Sequence, residues 1–310
     1  MGERKQIKLG LIGFGEVGST LGKGFRDEGL VEIASYDKFA FDGSFADLIQ
    51  RRAREAGVPL VASPQELSAR CDMIVGVTPG KASVDSAEAF APHLTPRHTF
   101  VDFASATPKV KRAVGAALQT SGARIADASI MGTPHADGHR LPILASGPAA
   151  VAFRDLLSPW GLKIEHVHGE LGAASGIKIM RSVIAKGLEA LLVECMLGSR
   201  RYGIDEEVMA SFAKFMDSRP FAEMANFLLV TDAIHSERRG QEARMSVDAL
   251  EEIGIEPTMT RATAERLEWV SAIGAKGHFG GVVPKHYREA IDALEALQAK
   301  ATTSPKRKVS

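Results

Sequence analysis

Gly13, Gly15 and Gly18 follow a short apolar run and precede a helix-like stretch, and glycines at that spacing suit one task. The first lets the chain turn tightly, the second admits a pyrophosphate against bare backbone, and the third lets helix and strand pack closely. The helix that starts there offers unpaired N–H groups and the positive end of its dipole to the phosphates. Asp37 lies 19 residues past Gly18, at the end of the next apolar run. A carboxylate there accepts from both hydroxyls of an adenosine ribose. Gly13, Phe14, Gly15, Glu16, Val17, Gly18 and Asp37 are therefore the expected contacts of a dinucleotide. Because a carboxylate repels a 2′-phosphate, NAD is expected ahead of NADP, although the adjacent Lys38 softens that preference.

A second group could move a proton. Gly169-Glu-Leu-Gly172-Ala-Ala-Ser-Gly-Ile-Lys178 is a small-residue turn running into a helix. On that helix Lys178, Arg181, Ser182 and Glu189 fall within about 100° of arc, with Lys186 at the margin. Ile179, Met180, Val183, Ile184 and Leu191 cover the rest. Small residues in the lead-in admit close approach of a ligand or another backbone. A lysine beside Arg181 and partly desolvated has its ammonium form disfavoured by both effects. That suits general acid/base work on a hydroxyl or carbonyl.

A third group could hold an anion. His235, Arg238, Arg239 and Glu242 recur at i, i+3, i+4 and i+7 on one helical face. Two arginines with a histidine make a fork for a carboxylate or phosphate. The alternative is a salt-bridged surface helix, since Glu237 and Arg244 are close by. His135, Asp137 and His139 share a loop, and no metal site is expected there. Thr78 and Ser105 lie at the carboxyl ends of strand-like segments, where ligands of open parallel sheets sit, and are expected beside the cofactor.

The elements that position these groups divide the chain. Apolar runs at 7–12, 32–36, 73–77, 99–103, 124–128, 142–145 and 162–167 alternate with helical stretches. This pattern predicts a Rossmann-type, doubly wound parallel sheet over 1–170. From 171 to 300 helical periodicity alone continues, predicting an all-α domain with helices at 205–216, 221–230, 234–252, 258–273 and 285–298. The active site is expected in the cleft between the two domains. Residues 301–310 have little to bury and are expected to be disordered.

Composition narrows the function classes. Lysine plus arginine equals aspartate plus glutamate at 38 each, so no basic excess favours nucleic acid. No apolar run is long enough to span a bilayer, and residues 1–8 are too charged for a signal peptide. The two cysteines, Cys71 and Cys195, have no metal-ligand spacing. A cytoplasmic location is expected.

Over nearly its whole length the chain resembles the β-hydroxyacid dehydrogenase and 6-phosphogluconate dehydrogenase superfamily. Lys178-Ile-Met-Arg-Ser-Val-Ile-Ala-Lys-Gly-Leu-Glu-Ala-Leu and His235-Ser-Glu-Arg-Arg-Gly-Gln-Glu-Ala-Arg-Met245 resemble a branch with a carboxyl-terminal domain of unknown function. The resemblance implies that Lys178 is the acid/base in NAD(P)-dependent oxidation of a hydroxyl on a small anionic substrate. It also implies a homodimer. Where the family carries an asparagine four residues after the lysine, this chain has Ser182. Where its substrate loop carries a carboxylate-binding serine, Met131 stands before Gly132, and an asparagine expected in the first helix is Gly24 or Phe25. These departures imply a rebuilt substrate pocket. Imine reduction, and a non-catalytic dinucleotide-binding regulator, are the alternatives.

Overall fold

The computed structural model describes residues 5–303. The first half alternates strand and helix: β1 (Leu9–Ile12), α1 (Glu16–Asp27), β2 (Ile33–Tyr36), α2 (Ala46–Ala56), β3 (Leu60–Val61), α3 (Pro64–Arg70), β4 (Met73–Gly76), α4 (Ser83–Phe90), β5 (Thr99–Asp102) and α5 (Pro108–Leu118). It continues with β6 (Arg124–Ile130), the short α6 (Pro134–Asp137), β7 (Pro142–Ser146), α7 (Ala150–Leu157) and β8 (Lys163–His166). The strands form one eight-stranded sheet in the order β3-β2-β1-β4-β5-β6-β7-β8. All pairs are parallel except β6 with β7.

The expected sheet is therefore present, with two differences. β3 escapes sequence reading because its two residues are too short to show a period. β7 runs against β6, with Ile130 opposite Ile143 and Asp127 opposite Ser146. The apolar strands are continuous because helices cover both faces. Met73, Val75 and Val101 face a cluster with Phe14, Phe25 and Trp160, while Ile74 and Phe100 face Leu67, Phe90 and Leu118. Helix α3 starts at Pro64 behind an N-cap serine: Ser63 Oγ accepts the Glu66 N–H, and Glu66 Oε2 accepts the Ala62 N–H.

Helices alone follow: α8 (Ala173–Tyr202), α9 (Asp205–Met216), α10 (Phe221–Glu252), α11 (Thr258–Ala272), the short α12 (Ala275–His278) and α13 (Tyr287–Thr303). Packing divides the chain into two compact units, one ending at Val183 and the other beginning at Ile184, inside α8. The two helices expected over 221–230 and 234–252 are one helix of 32 residues. The intervening Thr231-Asp-Ala holds no breaker, and the Thr231 hydroxyl donates to the Phe227 carbonyl without interrupting the spiral. Helix α13 runs through residue 303, into the stretch expected to be disordered from Ala301; residues 304–310 lie outside those described.

Candidate active site

The glycine-rich turn leaves β1 through Gly13, whose φ of +92° is a left-handed conformation that side chains strain. A Cβ on Gly18 would fall 2.1 Å from the Gly13 carbonyl oxygen, so turn and helix are in backbone contact there. A Cβ on Gly15 would meet nothing within 4 Å, so the space before it is open. Gly15 is the N-cap of α1 and no side chain caps that helix. Its first-turn N–H groups therefore remain for an anion. This cradle fits a pyrophosphate.

Asp37 is fixed by two backbone donors: the Phe14 N–H at 2.7 Å on Oδ2 and the Phe39 N–H at 3.0 Å on Oδ1. The carboxylate thus ties the end of β2 to the glycine turn while keeping lone pairs for ribose hydroxyls. Gly13, Gly15, Glu16, Val17, Asp37, Thr78 and Ser105 all line one cavity of about 570 Å³. Phe14 and Gly18, also expected at the cofactor, play a different part. The Phe14 ring is fully buried in the core and Gly18 supplies close packing. Sequence reading missed the rest of the lining, notably Phe39, Phe45 and Arg52. The Phe39 and Phe45 rings meet edge to face, their centres 6.1 Å apart, with Lys38 Nζ 4.8 Å above the Phe39 ring. Three phenylalanines within the Asp/Gly/Ser-containing stretch 38–45 were the available signal.

Helix α8 begins after Gly172, which has φ +101° and stands so close to Pro108 that a Cβ would lie 3.0 Å from its Cα. The preceding Leu171 occupies a notch between Gly115 and Gly147, at 2.6 and 3.1 Å from where their Cβ atoms would be. The first turn is held from below. Ser175 donates its N–H to Asp127 Oδ2 at 2.9 Å and its hydroxyl to Oδ1 at 2.6 Å, and Ala174 N–H donates to Ser146 Oγ at 3.0 Å.

One turn on, Lys178 Nζ donates to Ser105 Oγ at 3.0 Å. Lys178 is half-buried. Burial, then the charges of Lys111 and Arg181, hold its ammonium below the usual lysine range. The expected causes were burial and Arg181; Lys111 is an addition. Sequence reading passed over it, although Lys111, Val114 and Leu118 are the buried face of α5 and a lysine in such a stripe is a signal.

The remaining candidates are differently engaged. Ser182 Oγ donates to the Lys178 carbonyl of its own helix, 3.0 Å away. Arg181 is exposed and Met131 half-buried. Gly132 is pressed against Asp137, which accepts the Thr133 N–H at 3.0 Å. His139 fills the space beside Gly24, which explains the bare helix position there: a Cβ would overlap its ring. His235, Arg238 and Arg239 belong to the second unit. There Arg238 pairs with Glu242, and Arg239 donates to Thr231 Oγ1 at 2.8 Å with Asp232 3.9 Å away. The structure therefore unites Lys178, Ser105, Thr78 and the glycine turn in one unit and gives both arginines protein partners.

Residues 8–167 match the NAD binding domain of 6-phosphogluconate dehydrogenase, and residues 200–270 match a domain of unknown function, DUF1932. The first match covers more than half of the chain, which belongs to this NAD-binding, hydroxyacid-dehydrogenase-like family. Among its relatives, L-threonate dehydrogenase of Cupriavidus necator is 28% identical over 210 residues, 66% of each chain. A solved protein of unknown function, described as structurally similar to 3-hydroxyacid dehydrogenases, is 28% identical with a TM-score of 0.60, covering 85% of this chain and 98% of its own. An imine reductase variant from Myxococcus stipitatus solved with NAD+ shares the fold, with a TM-score of 0.70 at 21% identity over 87% of this chain and 96% of its own. Among the described residues, no helix is long and apolar enough to cross a membrane.

Proposed function

We propose that this chain is an NAD-dependent dehydrogenase that oxidises a hydroxyl on a small carboxylate-bearing substrate, with Lys178 as the proton-transfer residue. One observation carries the reading: the Lys178 ammonium reaches Ser105, and Ser105 lines the dinucleotide cavity. The dinucleotide supplies the hydride-accepting ring; the chain supplies everything else. Lys178, as the free amine, takes the hydroxyl proton as the carbinol carbon loses its hydride. In the reverse direction the ammonium returns that proton to the carbonyl oxygen. Ser105 aims Nζ, and exposed Arg181, one turn further along, offers a cation to the substrate carboxylate. Lysine at 178 is what separates this reading from a regulator without chemistry.

The Asp37 carboxylate favours NAD over NADP by repelling a 2′-phosphate. The functional form is a homodimer. In its favour, Ile184, Leu188, Val193 and Leu197 of α8 are exposed although apolar, an arrangement that a second copy of the chain would cover. The test is to incubate the protein with NAD or NADP and a panel of hydroxy acids, including L-threonate and 2-(hydroxymethyl)glutarate, the substrates named for two relatives. Growth of reduced-ring absorbance is the expected result. Tight NAD binding with no turnover across the panel would favour a regulator.

A further inference from the structure

Beneath the amino end of α8 lies a charged cluster that the proposed chemistry does not itself use. Lys111 is 1% exposed, a rare state for a lysine. Its Nζ donates to Asp102 Oδ2 at 2.9 Å and to the Asp102 carbonyl at 2.8 Å, and it stands 3.3 Å from Asp127 Oδ1. Asp102 and Asp127 are neighbours across β5 and β6 and are themselves buried. Each carboxylate has a second task. Asp102 Oδ1 accepts the Ala104 N–H at 2.9 Å, shaping the turn that presents Ser105. Asp127 receives both Ser175 donors and so caps α8. The same three charges thus touch the two segments that meet at the Lys178–Ser105 contact.

Such a cluster is costly to bury and gains its worth by fixing geometry or charge. Ser175 precedes Lys178 by three residues, which is about 4.5 Å of rise and about 60° of rotation. A cap that holds Ser175 through two atoms therefore fixes both the height and the azimuth of Lys178. Facing Lys178 are Ser105 from the loop after β5, Lys111 from α5 with its two carboxylates, and Arg181 from α8 itself.

We propose that Lys111, clasped by Asp102 and Asp127, is a positioning residue that sets the place and the charge environment of Lys178. The role rests on the proposed acid/base reading of Lys178. Lys111 supplies a cation that disfavours a second one nearby, and its partners hold the helix turn and the serine loop at a fixed separation.

The test reads Lys178 directly and needs no substrate. Native protein is reductively methylated with carbon-13 formaldehyde, and the dimethyl-Lys178 resonance, identified by its loss in Lys178→Arg, is titrated by NMR. In Lys111→Met the midpoint should rise by about half a unit or more, since a cation is gone and two carboxylates remain. In Asp102→Asn, which keeps the shape and removes one negative charge, it should fall. A purely structural role would not give opposite signs. An unchanged or lower midpoint in Lys111→Met overturns the proposal. Should that variant fail to fold, an unchanged or raised midpoint in Asp102→Asn does so. Turnover by Lys178→Ala would instead refute the acid/base reading and leave these titrations standing.

Discussion

The Lys178 amine and the Ser105 hydroxyl, 73 residues apart in sequence, stand 3.0 Å from one another where helix α8 passes the loop after β5. If this contact marks the reacting centre, Lys178→Ala should lower kcat by about 10²–10⁴-fold. NAD affinity, measured by fluorescence or calorimetry, should stay near the parent value. Parental turnover in the variant would end the assignment.

The direction of pH dependence follows from the depressed ammonium. Burial, Lys111 and Arg181 lower it, so the free amine begins to appear at lower pH than for an ordinary lysine. Oxidation needs the free amine, so its kcat/KM should climb with pH, with a midpoint below that of an ordinary lysine. Carbonyl reduction needs the ammonium and should decline over the same interval. Initial rates in both directions across a pH series check this, and two parallel slopes would contradict it.

The second and third glycines of the turn should respond differently to a methyl group. Gly15→Ala adds a Cβ to open space and should leave thermal unfolding nearly unchanged, yet weaken NAD binding at least about tenfold by blocking the pyrophosphate. Gly18→Ala drives a carbon into the Gly13 carbonyl and should cost stability as well. Equal melting temperatures for the two variants would argue against the close packing at Gly18.

Helix α11 depends on one carboxylate. Glu194 accepts the Met259 N–H, the Thr260 N–H and the Thr260 hydroxyl at 2.8, 2.8 and 2.6 Å. Burial works to raise its titration point, but these hydrogen bonds outweigh it and hold the carboxyl below the usual range. Such a group stabilises the fold above its unfolded value, and the contribution disappears as pH falls through the folded one. Glu194→Gln should therefore cost roughly 1–2 kcal/mol in urea unfolding at neutral pH. The gap between parent and variant should narrow below about pH 4. A gap that is constant with pH would refute the charge-based account.

The proposed homodimer predicts a solution mass near twice 33.1 kDa. Val193→Glu, in the exposed apolar stretch of α8, should reduce it to a single chain by light scattering. A monomeric parent would remove the proposal.

Much of this was legible in the sequence because it is local. The glycine spacing and Asp37 operate within one strand–helix–strand unit, so spacing alone exposes them. Lys111 sits in the apolar stripe of α5, but its role was not legible, since its partners come from β5 and β6. The reversal of β7 was hidden for a similar reason: strand direction is set by pairing, not by hydrophobic pattern. Arg238 and Arg239 show how spacing alone leaves two readings open. Their helical spacing looked like an anion fork, but Glu242, Thr231 and Asp232 lie near enough to engage them.

Leu171 is wedged where neither Gly115 nor Gly147 has a side chain, and a Cβ on Gly115 would lie only 2.6 Å from it. A wedge of this kind admits no small adjustments: the approach to α8 is either seated or displaced. The two bare glycines therefore set where the lysine-bearing helix starts, although neither lies near the lysine in sequence.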